Sequence, residues 1–310
     1  MSPETIFRYI PLPLYLMAIA LHVFGCFIII TKVKNRRNQD RIILNLSVAE
    51  ICMACSDVTQ NILMTMLPVH SKVIRYLTII QCSMFVFPCF LIMITLTLDR
   101  FFEVFLNIRY SCFVTTLKMK QTLLICWCSG FMLAAVLVPL SIGTVHYQLI
   151  ACVIYKYIFP ITEGMFLVIA ICSYAYIYNK FRQLNKLPGI KTLELKGEYR
   201  KIERRKRRVF APFLIVLTFI GFVIIPDLAN LMLFYVFKNG TNFHSNLLLI
   251  CYALGFISDA VIYLFVQRHI KRHALRTLKG GYRDQEKLGL VMMLATKSDL
   301  ESPEALEMVL

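Results

Sequence analysis

No nucleophile elbow and no metal-ligand spacing of the kind a catalytic centre needs occurs in this 310-residue sequence, so neither enzyme activity nor a cofactor is expected. No internal repeat is visible, which argues against a transporter built from duplicated halves. Acids are scarce: 18 Asp and Glu stand against 34 Lys and Arg, for a formal charge of +16. Tryptophan occurs once, at Trp127. The 11 cysteines form no disulfide framework and lie mostly in apolar stretches, where a free thiol behaves as a small apolar side chain. None follows Gly280, so no palmitoylated tail is expected. The basic run Arg204–Arg208 abuts an apolar stretch, so it carries no nucleic-acid reading.

What the chain has in excess is apolar length. It is 58% hydrophobic with a mean hydropathy of +0.66. A bilayer-crossing helix needs about 20 apolar residues. Stretches near Ile10–Thr31, Ile42–Leu67, Tyr76–Leu98, Thr122–Gly143, Val153–Tyr178, Val209–Phe237 and Leu247–Val266 meet that length. The expected fold is therefore all-α: a seven-transmembrane helix bundle over residues 10–267. A nine-residue extracellular amino terminus (1–9) precedes it. An amphipathic helix (268–279), with Ile270, Ala274 and Leu278 at helical spacing, and a polar tail (280–310) follow it. The first stretch is flanked by Glu4 and Arg8 rather than by a basic region, and reads as a retained signal-anchor span.

Positive charge sets the orientation. The segments around 32–41, 100–120, 180–208 and beyond 267 hold 29 of the 34 Lys and Arg, and cytoplasmic loops carry that excess. The amino terminus is thus expected outside and the carboxyl terminus in the cytoplasm of a plasma-membrane protein, with inner-leaflet lipids as partners. Asn239-Gly240-Thr241 is a glycosylation candidate on the outer side, whereas Asn45-Leu46-Ser47 lies on the cytoplasmic side and is a chance match. Thr296, Ser298 and Ser302 are candidate phosphorylation sites in the tail.

Several fragments carry a family resemblance in order. They are Leu44-Asn45-Leu46-Ser47-Val48-Ala49-Glu50 in the second span, Asp99-Arg100-Phe101 closing the third, and Trp127 in the fourth. Tyr174-Ala175-Tyr176-Ile177, Pro226 and Asp259-Ala260-Val261-Ile262-Tyr263 follow in the fifth, sixth and seventh. Together they resemble the rhodopsin-like (class A) G-protein-coupled receptors. The resemblance implies heterotrimeric G proteins as partners, arrestin as a further one, and an extracellular ligand. It also implies an activation switch: Asp99 holds Arg100 at rest, and outward movement of the sixth span frees Arg100 to meet Tyr174, Tyr263 and a G-protein tail. Taken alone, Asp99–Arg100 reads equally as a snorkelling pair at the membrane boundary. Glu50 and Asp259 would meet in the family's packing, where they hold either a sodium ion or a shared proton.

Departures from the pattern are as informative. The third-span cysteine of the usual disulfide is replaced by Arg75, so that bridge is not expected for Cys152. Phe166 stands where the fifth span carries a proline, Ile224 where the sixth carries a tryptophan, and Lys206 where some members have an acid that locks the arginine. The absent lock implies raised ligand-independent signalling. These features also resemble the branch containing melanocortin, sphingolipid and cannabinoid receptors. Leu247–Val266 holds no lysine for a retinal Schiff base. The ligand candidates are Asp57, Gln60, Asn61, Cys82, Glu163, Asp227 and Asn230 in the outer halves of the spans. They suit a cationic peptide or amine, an abundance of Phe and Met suits a lipid, and pairing with Lys72, Arg75 or Lys156 needs no ligand at all. His22 reads as a hydrogen-bonded packing residue. The competing functional class is a non-signalling transporter or channel.

Overall fold

The computed structural model describes residues 10–31, 37–66, 72–106, 109–141, 153–186, 209–237 and 242–267, together with 270, 271, 274, 275 and 277. It is all-α, with no strand among the described residues. Seven helices are long and apolar enough to cross a membrane. The first span is Pro11–Thr31, the second Asn38–Met66, the third Lys72–Leu106 and the fourth Thr116–Leu140. The fifth runs through Ile154–Ile158 and Phe159–Lys186, the sixth begins at Val209 and closes with Ile225–Phe237, and the seventh is Asn242–Val266. The third extends beyond both ends of its apolar stretch, because backbone hydrogen bonding continues where hydrocarbon stops. One further turn, Tyr110–Phe113, lies between the third and fourth spans. Thr115 caps the fourth, its hydroxyl accepting from the Lys118 amide at 3.3 Å.

Proline shapes three spans in one way. Pro88, Pro160 and Pro226 each follow a five-residue π-turn, at Cys82–Val86, Ile154–Ile158 and Ile220–Ile224. In each, the residue before proline (Phe87, Phe159, Ile225) donates its N–H to the carbonyl five positions back. A proline ring clashes with the carbonyl four residues earlier, and widening that turn relieves the clash without breaking the helix. The fifth span thus has its proline at Pro160, while Phe166 is fully buried against Phe219, with ring centroids 5.5 Å apart. Phe219 meets Phe90 edge-on at 5.2 Å, so three aromatic rings join the third, fifth and sixth spans in the core.

The third span is central, packing against the second, fourth and fifth, while the first lies against the second and seventh. Glycine sets the closest approaches. Gly25 faces the Tyr263 ring, and Gly130 faces Pro88 and the Ser83 carbonyl. Trp127 donates to the Asn45 side chain at 3.0 Å, and Asn45 Nδ2 donates to the Arg41 carbonyl at 2.9 Å. Asn45 is therefore engaged inside the bundle. Ile270 and Ala274 are buried in the main core; Leu278 lies outside the described residues.

Candidate functional site

Polar side chains occur at three depths in an otherwise apolar bundle. At one end, Arg100 is 4% exposed, a charge that must be paired to be buried there. Its Nη2 pairs with Asp99 and its Nη1 with Glu103, with Gln39 Oε1 at 3.3 Å from Nη1. Tyr110 donates its hydroxyl to the other Asp99 oxygen. Burial, and after it the Asp99 carboxylate, hold the Tyr110 phenol above its ordinary range, so it remains a donor at neutral pH. Asn38 Nδ2 donates to the Val114 carbonyl at 3.2 Å, tying the short turn to the second span. Among the described residues, the Arg100 Nε and the Tyr174 hydroxyl are both buried without a hydrogen-bond partner, and Tyr174 stands near enough to feel the arginine charge.

The middle layer joins Glu50 and Asp259, whose carboxyls face each other. Thr218 donates to Asp259. His22 Nε2 lies 2.8 Å from the Phe256 carbonyl and 3.2 Å from Glu50 Oε2. Because a carbonyl only accepts, that nitrogen carries a proton. Cys89 is buried beside both acids. Tyr263 belongs to this layer, near Ser47 and Glu50, rather than to the Arg100 end. Two carboxyls out of water do not both stay charged without a cation or proton between them. Both Glu50 carboxyl oxygens and the Ser47 and Tyr263 hydroxyls are buried in this layer without a hydrogen-bond partner among the described residues. The His22 N–H and the Cys89 thiol beside them are poor partners for a hard cation. A proton shared by Glu50 and Asp259 needs no further ligand. Among the described residues, no group of three or more His, Cys, Asp or Glu is disposed to hold a metal.

At the far end, Asp57 accepts from Gln81 at 2.6 Å and is also bonded by Tyr15, while Gln60 donates to Gln81. Tyr15 Oη lies 3.1 Å from the Leu249 carbonyl. Glu163 and Asp227 share a side-chain hydrogen bond across the fifth and sixth spans, and Tyr252 donates to Asp227. Among the described residues, none of these three acids is in an ion pair; Lys72 is exposed, and the side chains of Arg75 and Lys156 lie outside the described set. Of the other ligand candidates, Asn61 is half-buried, Asn230 is exposed, and Cys82 packs with Ile79, Leu137 and Ile154 in a separate apolar cluster. Asn239, Lys206, Cys152 and the tail serines and threonine lie outside the described residues.

Sequence reasoning missed Glu103, Tyr110, Gln39, Tyr15, Tyr252 and Thr218. Only Glu103 carried a signal, since it lies one helical turn after Arg100. The rest depend on how helices rotate against one another. His22 does pack by a hydrogen bond, as read, but it also touches Glu50.

The fold and these layers define a multi-pass membrane protein: seven helices enclosing a buried, carboxylate-rich polar interior. No family model matches the chain, and no curated protein matches it in sequence.

Proposed function

We propose that the chain is a rhodopsin-like G-protein-coupled receptor of the plasma membrane, amino terminus outside, passing an extracellular signal to heterotrimeric G proteins. One observation carries the reading. A buried arginine at the end of the third span is held by carboxylates of its own helix, and a buried tyrosine hydroxyl nearby on the fifth span has no partner among the described residues. A group held this way has a second position available. Outward movement of the sixth span opens the room in which Arg100, once released from Asp99, can turn towards Tyr174 and meet a G-protein tail. Ligand binding shifts that balance only by binding the two states with different affinity. The Glu50–Asp259 pair, with one proton between its carboxyls, links the second and seventh spans beneath the switch.

Profiling of second messengers in cells, at matched surface expression, tests the proposal against panels of basic peptides, amines and lipids. Arg100→Ala is expected to abolish any response, a loss of about tenfold or more in coupling. A response that survives the substitution overturns the receptor reading. Ion flux or solute uptake in its place favours the transporter or channel class, whose pathway would use the carboxylates at all three depths.

The Asp57 and Glu163–Asp227 layer supports a cationic ligand, because among the described residues these acids meet tyrosine, glutamine and one another but no basic side chain. Asp57→Asn and Asp227→Asn are each expected to weaken a cationic agonist about tenfold, the range of one buried charge-assisted bond. Asn230→Ala, at an exposed position, leaves potency unchanged. Unchanged potency in both acid variants overturns the cationic ligand and leaves the receptor reading standing.

A further inference from the structure

We infer that Glu103 is a second lock on Arg100, carried on the third span itself, and that it holds the resting state where the sixth span has no acid to do so. The inference rests on the receptor reading and assigns Glu103 a positioning role in the same switch.

Glu103 follows Arg100 by three residues, so the two side chains lie on one helix face regardless of any neighbouring span. The guanidinium fork is divided between two acids, Nη2 to Asp99 and Nη1 to Glu103. Without Glu103, the partner left to Nη1 among the described residues is the neutral Gln39 oxygen at 3.3 Å. Burial makes this contact matter. The Arg100 and Glu103 side chains are 4% and 16% exposed, so water screens the pair far less than it screens a surface one. Lys72 is exposed on the far end of the same helix.

A lock within one helix behaves differently from one between helices. Moving the sixth span does not break it, so opening of the bundle and release of the arginine become separate steps. The arginine leaves only when a competing acceptor outweighs two carboxylates, which makes the G-protein tail itself part of the release. This reverses the expectation drawn from Lys206: ligand-independent signalling is low.

The test compares full-length wild type, Glu103→Gln, Glu103→Ala and Glu103→Asp. The first readout is ligand-independent second messenger at matched surface expression. The second is the rate at which phenylglyoxal modifies Arg100 in protein held in lipid nanodiscs, mapped by mass spectrometry. Glu103→Gln and Glu103→Ala are expected to raise both by about threefold or more, the scale of one partly sheltered ion pair, with Glu103→Asp in between. Unchanged modification of Arg100 in both charge-removing variants overturns the lock, whatever the signalling. Faster modification with unchanged basal signal, in a receptor that responds to ligand, overturns its resting-state role. Faster modification in a protein that never signals supports the ion-pair lock and overturns the receptor reading instead.

Discussion

Replacing Gly130 by alanine is expected to remove most of the folded protein. A Cβ at that position would lie 2.4 Å from Pro88 Cγ and 2.8 Å from the Ser83 carbonyl oxygen. Neither obstacle can rotate away. The proline ring is closed, and the carbonyl belongs to the π-turn that the same proline imposes on the third span. In a membrane, where lipid is as apolar as leucine, close approach at small residues is a main source of helix association. Overpacking of this kind costs about 1–3 kcal/mol, enough to lower the folded fraction of a marginal membrane protein about tenfold. Thermal unfolding of the detergent-solubilised protein measures the effect. Gly164 and Gly221 supply the control, since a Cβ at either meets nothing within 4 Å. Gly164→Ala and Gly221→Ala are expected to be neutral or slightly stabilising, because alanine is the better helix former by about 1 kcal/mol. Pro88→Ala combined with Gly130→Ala recovers part of the loss, since the carbonyl clash remains. A Gly130→Ala protein that melts with wild type would contradict the packing of the third and fourth spans.

Gly25→Ala is expected to strike both folding and signalling. Its Cβ would fall 1.9 Å from the Tyr263 hydroxyl and 2.5 Å from two ring carbons. Tyr263 is 2% exposed, so the ring has nowhere to go without parting the first and seventh spans. The displaced ring would also leave Ser47 and disturb the Glu50–Asp259 layer beside it. A tyrosine-sized clash costs about 1–3 kcal/mol, as for other overpacked cores. Adding Tyr263→Leu removes the obstacle, so surface level and melting temperature should return while agonist response does not. Recovery of both would show that Tyr263 serves packing alone. Recovery of neither would place the damage somewhere other than this contact.

These two glycines show where sequence reading stops. Gly25 and Gly130 sit in apolar runs like Gly164 and Gly221, yet only the first pair face another span's atoms. Nothing local separates them, because the difference lies in the rotation of a neighbouring helix. The prolines fall between these cases. Phe87-Pro88, Phe159-Pro160 and Ile225-Pro226 are visible as interruptions in long apolar stretches, and a widened turn before each follows from the ring's clash with the preceding turn. In the fifth span the proline is Pro160, six residues before Phe166.

Number and order of the spans were determined by the sequence alone, because the hydrocarbon core demands one length of apolar helix and the chain supplies it seven times. So was the contact of Glu103 with Arg100, since a spacing of three residues puts both side chains on one helix face. Only the tertiary structure decided the rest. It drew His22 to Glu50, Tyr15 and Gln81 to Asp57, and Tyr252 with Glu163 to Asp227, and it left Asn230 facing away. Those pairings depend on the register and rotation of helices packed side by side. In an apolar solvent many rotations bury similar area, and the choice falls to a few small residues and buried polar groups far apart in sequence.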